Sequence, residues 1–90
     1  MNLQETIKRL LEESNLGWKN SSNKLSKTFK FNNFDDSIDF VNKVAKIAIK
    51  QNHHPDMVIK FDKVTISITD HEKGGVSEKC HKFVKAVNEL

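Results

Sequence analysis

The segment from Met57 to Thr69 constrains this chain more than any other. Apolar residues recur at every second position through Met57, Ile59 and Phe61 and again through Val64, Ile66 and Ile68, with Asp62-Lys63 between the two runs. Strand side chains alternate between faces, so each run reads as a strand with one buried face, and the two polar residues between them read as a tight hairpin turn. That turn pairs Phe61 with Val64, Ile59 with Ile66 and Met57 with Ile68. All six apolar side chains then share one face, opposite Thr65, Ser67 and Thr69. The apolar face requires a cover.

Helical periodicity on either side supplies it. Leu3, Ile7, Leu10 and Leu11 fall on one stripe, with Asn2 and Glu5 spaced as a capping box, which predicts a first helix over about 2–14. Gly17 stops it. Leu25, Phe29 and Phe31, alternating with Ser26, Thr28 and Lys30, predict a strand hairpinned to the Trp18 segment. Asn33 is placed to cap a second helix running to about Gln51, with Asp35 and Asp36 in its first turn and Ile38, Val41, Val44 or Ala45, and Ala48 along one face. After the Gly74-Gly75 break, Ser77 is placed to cap a closing helix with the stripe Val76, Cys80, Phe83, Val84 and Val87. The expected fold class is α+β, a two-layer sandwich. Its four-stranded, largely antiparallel sheet carries three helices on one face, in the order α-β-β-α-β-β-α.

Composition bounds what such a sandwich can be. At 90 residues the chain is expected to form one domain over 1–90, and 37% hydrophobic against 30% charged residues excludes disorder. Cys80 is the only cysteine, so no internal disulfide forms, and a reduced, cytoplasmic compartment is expected. The start lacks a basic then apolar leader, and no apolar run approaches the ~20 residues of a membrane span. The net charge is +3 with a pI near 9.1, but fourteen of the fifteen basic residues are Lys, scattered along the chain. Nucleic-acid binding, which calls for a basic stripe with arginines and interleaved aromatics, is disfavoured.

The residues with chemistry cluster at strand ends. His53-His54-Pro55 precede the third strand and His71 follows the fourth, so hairpin pairing brings Pro55 roughly opposite Asp70 and the three imidazoles to one end of the sheet. Three readings stand beside one another: solvated surface histidines, a metal site, or acid–base catalysis without metal. Zinc is disfavoured, because adjacent His53 and His54 project differently from an extended segment and Cys80 lies on an apolar stripe. An imidazole titrating near ~6.5 can give or take a proton at neutral pH. His81, beside Lys82, reads as a surface residue.

The segment His53-His54-Pro55-Asp56, the aromatic Phe61, and the run Thr69-Asp70-His71-Glu72-Lys73-Gly74-Gly75-Val76-Ser77-Glu78 resemble the signature of the pterin-4a-carbinolamine dehydratases. Gly17-Trp18 and Phe29-Lys30-Phe31, leading to Phe34 and Phe40, are similar to that family's amino-terminal half. The resemblance implies a hydro-lyase of tetrahydrobiopterin recycling. It would convert 4a-hydroxytetrahydropterin to quinonoid dihydropterin, protonating the departing hydroxyl and removing the N5 proton, with no metal or organic cofactor. It also implies that His53, His54 and His71 form the active-site set, with His53 and His71 the leading acid–base pair and His54 positioning substrate. Pro55, Asp56, Thr69 and Trp18 become candidate substrate-binding residues, although a lone Trp in so small a domain reads first as core. A homodimer or homotetramer is implied. So is an alternative role as a protein-binding module, since animal members serve as dimerisation cofactors of a homeodomain transcription factor.

The sequence departs from the family pattern at three positions. Cys80 stands where many relatives carry Asp three residues after Ser or Thr, a carboxylate that would either cap the helix or orient a catalytic histidine. Ile49 replaces an often charged residue four before His53, and Met57 stands where Trp is common.

Overall fold

A computed structural model describes residues 17–90. The elements are β1 (Lys19–Ser21), β2 (Lys24–Lys30), α1 (Phe34–Gln51), β3 (Asp56–Ile59), β4 (Lys63–Ile68) and α2 (Glu78–Asn88). The helix expected over 2–14 lies outside the described residues, so the described architecture is α+β with two helices rather than three.

The four strands form one antiparallel sheet in the order β1-β2-β4-β3. β1 and β2 join through Ser22 and Asn23, both at positive φ (53° and 61°), the backbone of a turn whose twist matches that of the strands it connects. Alternation sorts the faces as expected. Leu25 of β2 and Val64, Ile66 and Ile68 of β4 are buried together with Val44 and Ala48 of α1 and Cys80, Phe83, Val84 and Val87 of α2. Both helices therefore cover the same side of the sheet. On the other side Ser26 pairs with Ser67, and Thr28 and Thr65 join hydroxyls at 2.8 Å.

The hairpin register differs from the expectation by two residues. Met57 lies opposite Ile66 and Ile59 opposite Val64, and the turn is Phe61-Asp62, closed by the Lys60 amide donating to the Lys63 carbonyl at 2.8 Å. A shift of two keeps every side chain on its face, so apolar alternation cannot distinguish the two registers. What marks the observed one is a distant contact, the Phe31 amide donating to the Asp62 carbonyl at 2.7 Å. Phe61 is consequently 66% exposed rather than paired on the apolar face.

Both helix starts fall where the sequence places them, but their caps differ. Asn33 accepts from the Asp36 amide at 2.8 Å through its side chain, the expected cap of α1. Ser77 occupies the cap position of α2 without any side-chain capping bond. Trp18 is core: it is 8% exposed, packs edge-on to Phe29 at 5.9 Å, and donates its indole N–H to Asn88 Oδ1 at 2.9 Å. Cys80 is wholly buried.

Candidate active site

The end of α1 sets the first half of the site. Asn52 takes the left-handed conformation (φ 51°, ψ 43°), its amide donating to the Ile49 carbonyl at 3.2 Å while the His53 amide donates to the Ala48 carbonyl at 3.1 Å. This paired closure ends the helix with a sharp change of direction, and Asn tolerates the left-handed backbone better than most residues. Pro55 then disfavours helix at His54, so the chain leaves extended toward β3. His53 emerges half-buried and His54 exposed.

The second half follows β4. The Thr69 carbonyl accepts a hydrogen bond from His53 Nε2 at 2.8 Å, and the Thr69 hydroxyl donates to the Asn23 carbonyl at 2.7 Å. A carbonyl can only accept, so His53 carries its proton on Nε2 when neutral. Its Nδ1 is left as a buried acceptor with no partner. The His53 ring stands edge-on to Phe83 at 6.5 Å, which ties it to the core. After Thr69 the chain turns through His71, which is exposed, and returns at Gly75. Gly74, at φ 72°, supplies the positive backbone angle this return requires.

One cavity of about 390 Å³ is lined from both halves, by Asn52, His53, His54, Thr69, Asp70, His71 and Glu72, and by Lys79 of α2. The three imidazoles expected to converge do so. Trp18, Pro55 and Asp56 do not line this cavity. The residues missed by sequence reasoning are Asn52, Asp70, Glu72 and Lys79. Of these, Asp70 had a legible local signal, since an Asp in a turn often accepts from the amide two residues on, as its Oδ1 does from Glu72 at 3.1 Å. The Ser77 hydroxyl bonds to Asp70 at 2.7 Å and is the main reason its carboxyl stays below the ordinary range. The Lys73 and Glu72 amides and the Lys79 charge add to this, and burial works against it. Lys79 and the imidazoles leave the cavity able to hold a polar ligand and exchange protons with it.

His81 is half-buried rather than a surface residue, and burial pushes its imidazole below the ordinary value against the opposing charge of Glu78. It does not line the cavity.

Fold and site together define a class, an α+β sandwich that gathers histidines from two chain segments where strands meet the end of a helix. The chain belongs to the pterin 4 alpha carbinolamine dehydratase family, whose model matches residues 2–90. A protein of Sulfolobus acidocaldarius, provisionally named a pterin-4-alpha-carbinolamine dehydratase, is 43% identical over 91 residues, covering 100% of this chain and 99% of its own length. A similarly named protein of Sulfurisphaera tokodaii is 39% identical over 87 residues, covering 94% of each chain. Among solved structures, a transcriptional coactivator/pterin dehydratase from Brucella melitensis superposes with a TM-score of 0.85 at 24% identity, over 99% of this chain and 97% of that one. A pterin dehydratase-like protein identified as a RuBisCO assembly factor in the alpha-carboxysome superposes at 0.69 and 20% identity, over 81% of this chain and 87% of that one. At those identities the two structures bear on the fold alone.

Proposed function

We propose that this protein is a 4a-hydroxytetrahydropterin dehydratase that eliminates water by histidine acid–base catalysis. The observation that carries the reading is the gathering of His53, His54 and His71 around one cavity, His71 lying 18 and 17 residues beyond the other two in sequence. The elimination breaks the C4a–O bond: the hydroxyl leaves as water after receiving a proton, and N5 gives up a proton as the C4a=N5 double bond forms. One imidazole donates and another accepts, and each is returned to its starting state by the solvent. His53 and His71 form the leading pair. His71 is open to the cavity, whereas His53 is oriented by Thr69, so its free lone pair lies on Nδ1 and its ring must turn to use it. His54 positions the pterin. Pro55 and Asp56 act through the path of the chain into β3, and Thr69 through its carbonyl.

Freshly generated 4a-carbinolamine, followed by ultraviolet absorbance near pH 7, tests this reading. Wild type should accelerate water loss, and His71→Ala should lower that acceleration by about 100-fold, the ordinary range for losing one general acid or base. Equal rates for the two proteins would sink the reading.

A homodimer or homotetramer is proposed alongside it. Among the described residues β3 is an edge strand of the sheet, and Val58 and Ile59 on it and Phe61 in the turn that follows are 56%, 42% and 66% exposed. That same exposed apolar strip favours a second reading, a protein-binding module. Partner binding that persists in a His53→Ala/His71→Ala double variant without dehydratase activity would favour the module. The catalytic reading places the protein in tetrahydrobiopterin recycling in the cytoplasm; no helix among the described residues is long and apolar enough to cross a membrane.

A further inference from the structure

Catalysis by an exposed loop imidazole depends on what holds the loop. His71 lies on a turn from Asp70 to Gly75, and nearly every bond that closes this turn passes through Asp70. Its amide donates to the Gly75 carbonyl at 2.9 Å, and its own carbonyl accepts from Gly75 and Lys73, each at 3.1 Å. Its side chain is drawn inward, 7% exposed, with Oδ1 accepting from the Glu72 amide at 3.1 Å and Oδ2 from the Ser77 hydroxyl at 2.7 Å. The last bond is telling. Ser77 stands at the cap of α2, where its hydroxyl would ordinarily accept from a helix amide; it donates to Asp70 instead, and the cap goes without a side-chain bond. Local helix capping has given way to a tie between loop and helix.

We propose that Asp70 is a positioning residue: its carboxylate clamps the His71 turn to the start of α2 and so fixes the His71 imidazole across the cavity from His53. The role rests on the dehydratase reading. Two sides of the cavity hang on this clamp, His71 within the turn and Lys79 one residue into α2, and both line the space that the substrate would fill. Misplacing a reacting group by about 1 Å costs on the order of 100-fold in rate, so a clamp of this kind acts on turnover before it acts on binding.

The experiment compares wild type, Asp70→Ala, Asp70→Asn and Ser77→Ala, each verified as folded by circular dichroism, with kcat and KM measured separately and amide exchange followed at Lys73 and Gly75. Asp70→Ala should lower kcat by about 30- to 100-fold with KM within about threefold, and should speed exchange at both amides. Asp70→Asn keeps one acceptor oxygen and should recover part of the loss. Ser77→Ala cuts only the tie to α2 and should lie between wild type and Asp70→Ala, which keeps the test open if Asp70→Ala does not fold. Folded variants with wild-type kcat overturn the proposal, as does a rise in KM with kcat unchanged. Wild type that is itself inactive removes the dehydratase reading and this role together; active wild type with unaffected variants removes this role only.

Discussion

Cys80 is the only thiol in the sequence and is wholly buried beside Phe83 and Val84 in the helix–sheet core. A thiol reagent should therefore label it only as fast as the protein opens, and labelling in native buffer should speed up with denaturant. Immediate labelling of the native protein would contradict its position. Asn33 makes the opposite kind of contribution, a single exposed cap, and Asn33→Ala should lower stability by about 1 kcal/mol in a urea titration. For Asp70 the sign follows from its depressed carboxyl. The unfolded chain binds a proton there before the folded one, so the stabilising effect of ionised Asp70 is complete above about pH 4 and fades as pH falls through the lower folded value. The stability advantage of wild type over Asp70→Asn should shrink on acidification below pH 4, and a constant difference would count against the carboxylate as its source. At this scale the meeting of the three imidazoles was legible because hairpin pairing brings their segments to one end of the sheet, although the observed register, with Asp56 opposite Ser67, moves Pro55 two residues away from its expected place opposite Asp70. The tie between Asp70 and Ser77 was not legible, because a bond between side chains seven residues apart leaves no periodic trace.

α1, α2 and the strands β2, β3 and β4 were legible because their apolar spacing matches the period of the element that carries it, whereas β1 is polar and exposed along its whole length. What escaped was the hairpin register, which alternation fixes only to within two residues, and the reversal at Asn52, where an ordinary Asn occupies a position more often held by Gly. The register has a consequence for energetics. β4 places Val64, Ile66 and Ile68 in the same buried core as Phe83, all fully or almost fully buried, so Phe83→Ala should cost about 3–5 kcal/mol by chemical denaturation. The same change beyond the core, at 66%-exposed Phe61, should cost under about 1 kcal/mol in a dissociated subunit. Comparable losses at the two positions would mean that the turn has been placed wrongly.

The whole molecule presents scattered lysines, a net charge of +3, and an apolar strip on the edge strand β3. If that strip is a self-interface, sedimentation velocity should give a dimer or tetramer at micromolar concentration, and Val58→Lys should shift the distribution toward the monomer by placing like charges on both copies. Oligomer size unchanged by Val58→Lys would assign the contact elsewhere. The exposed strip itself was not legible in the sequence, because an exposed apolar residue and a core one obey the same alternation until the sheet order shows which strands lie at the edges among the described residues. The Trp18–Asn88 hydrogen bond joins the entry to β1 to the last turn of α2, residues seventy positions apart. Since the chain contains one tryptophan and no tyrosine, nearly all its near-ultraviolet emission comes from this junction. The protein thus carries its own optical gauge, in which the colour of a single fluorophore reports whether the carboxy-terminal helix is seated.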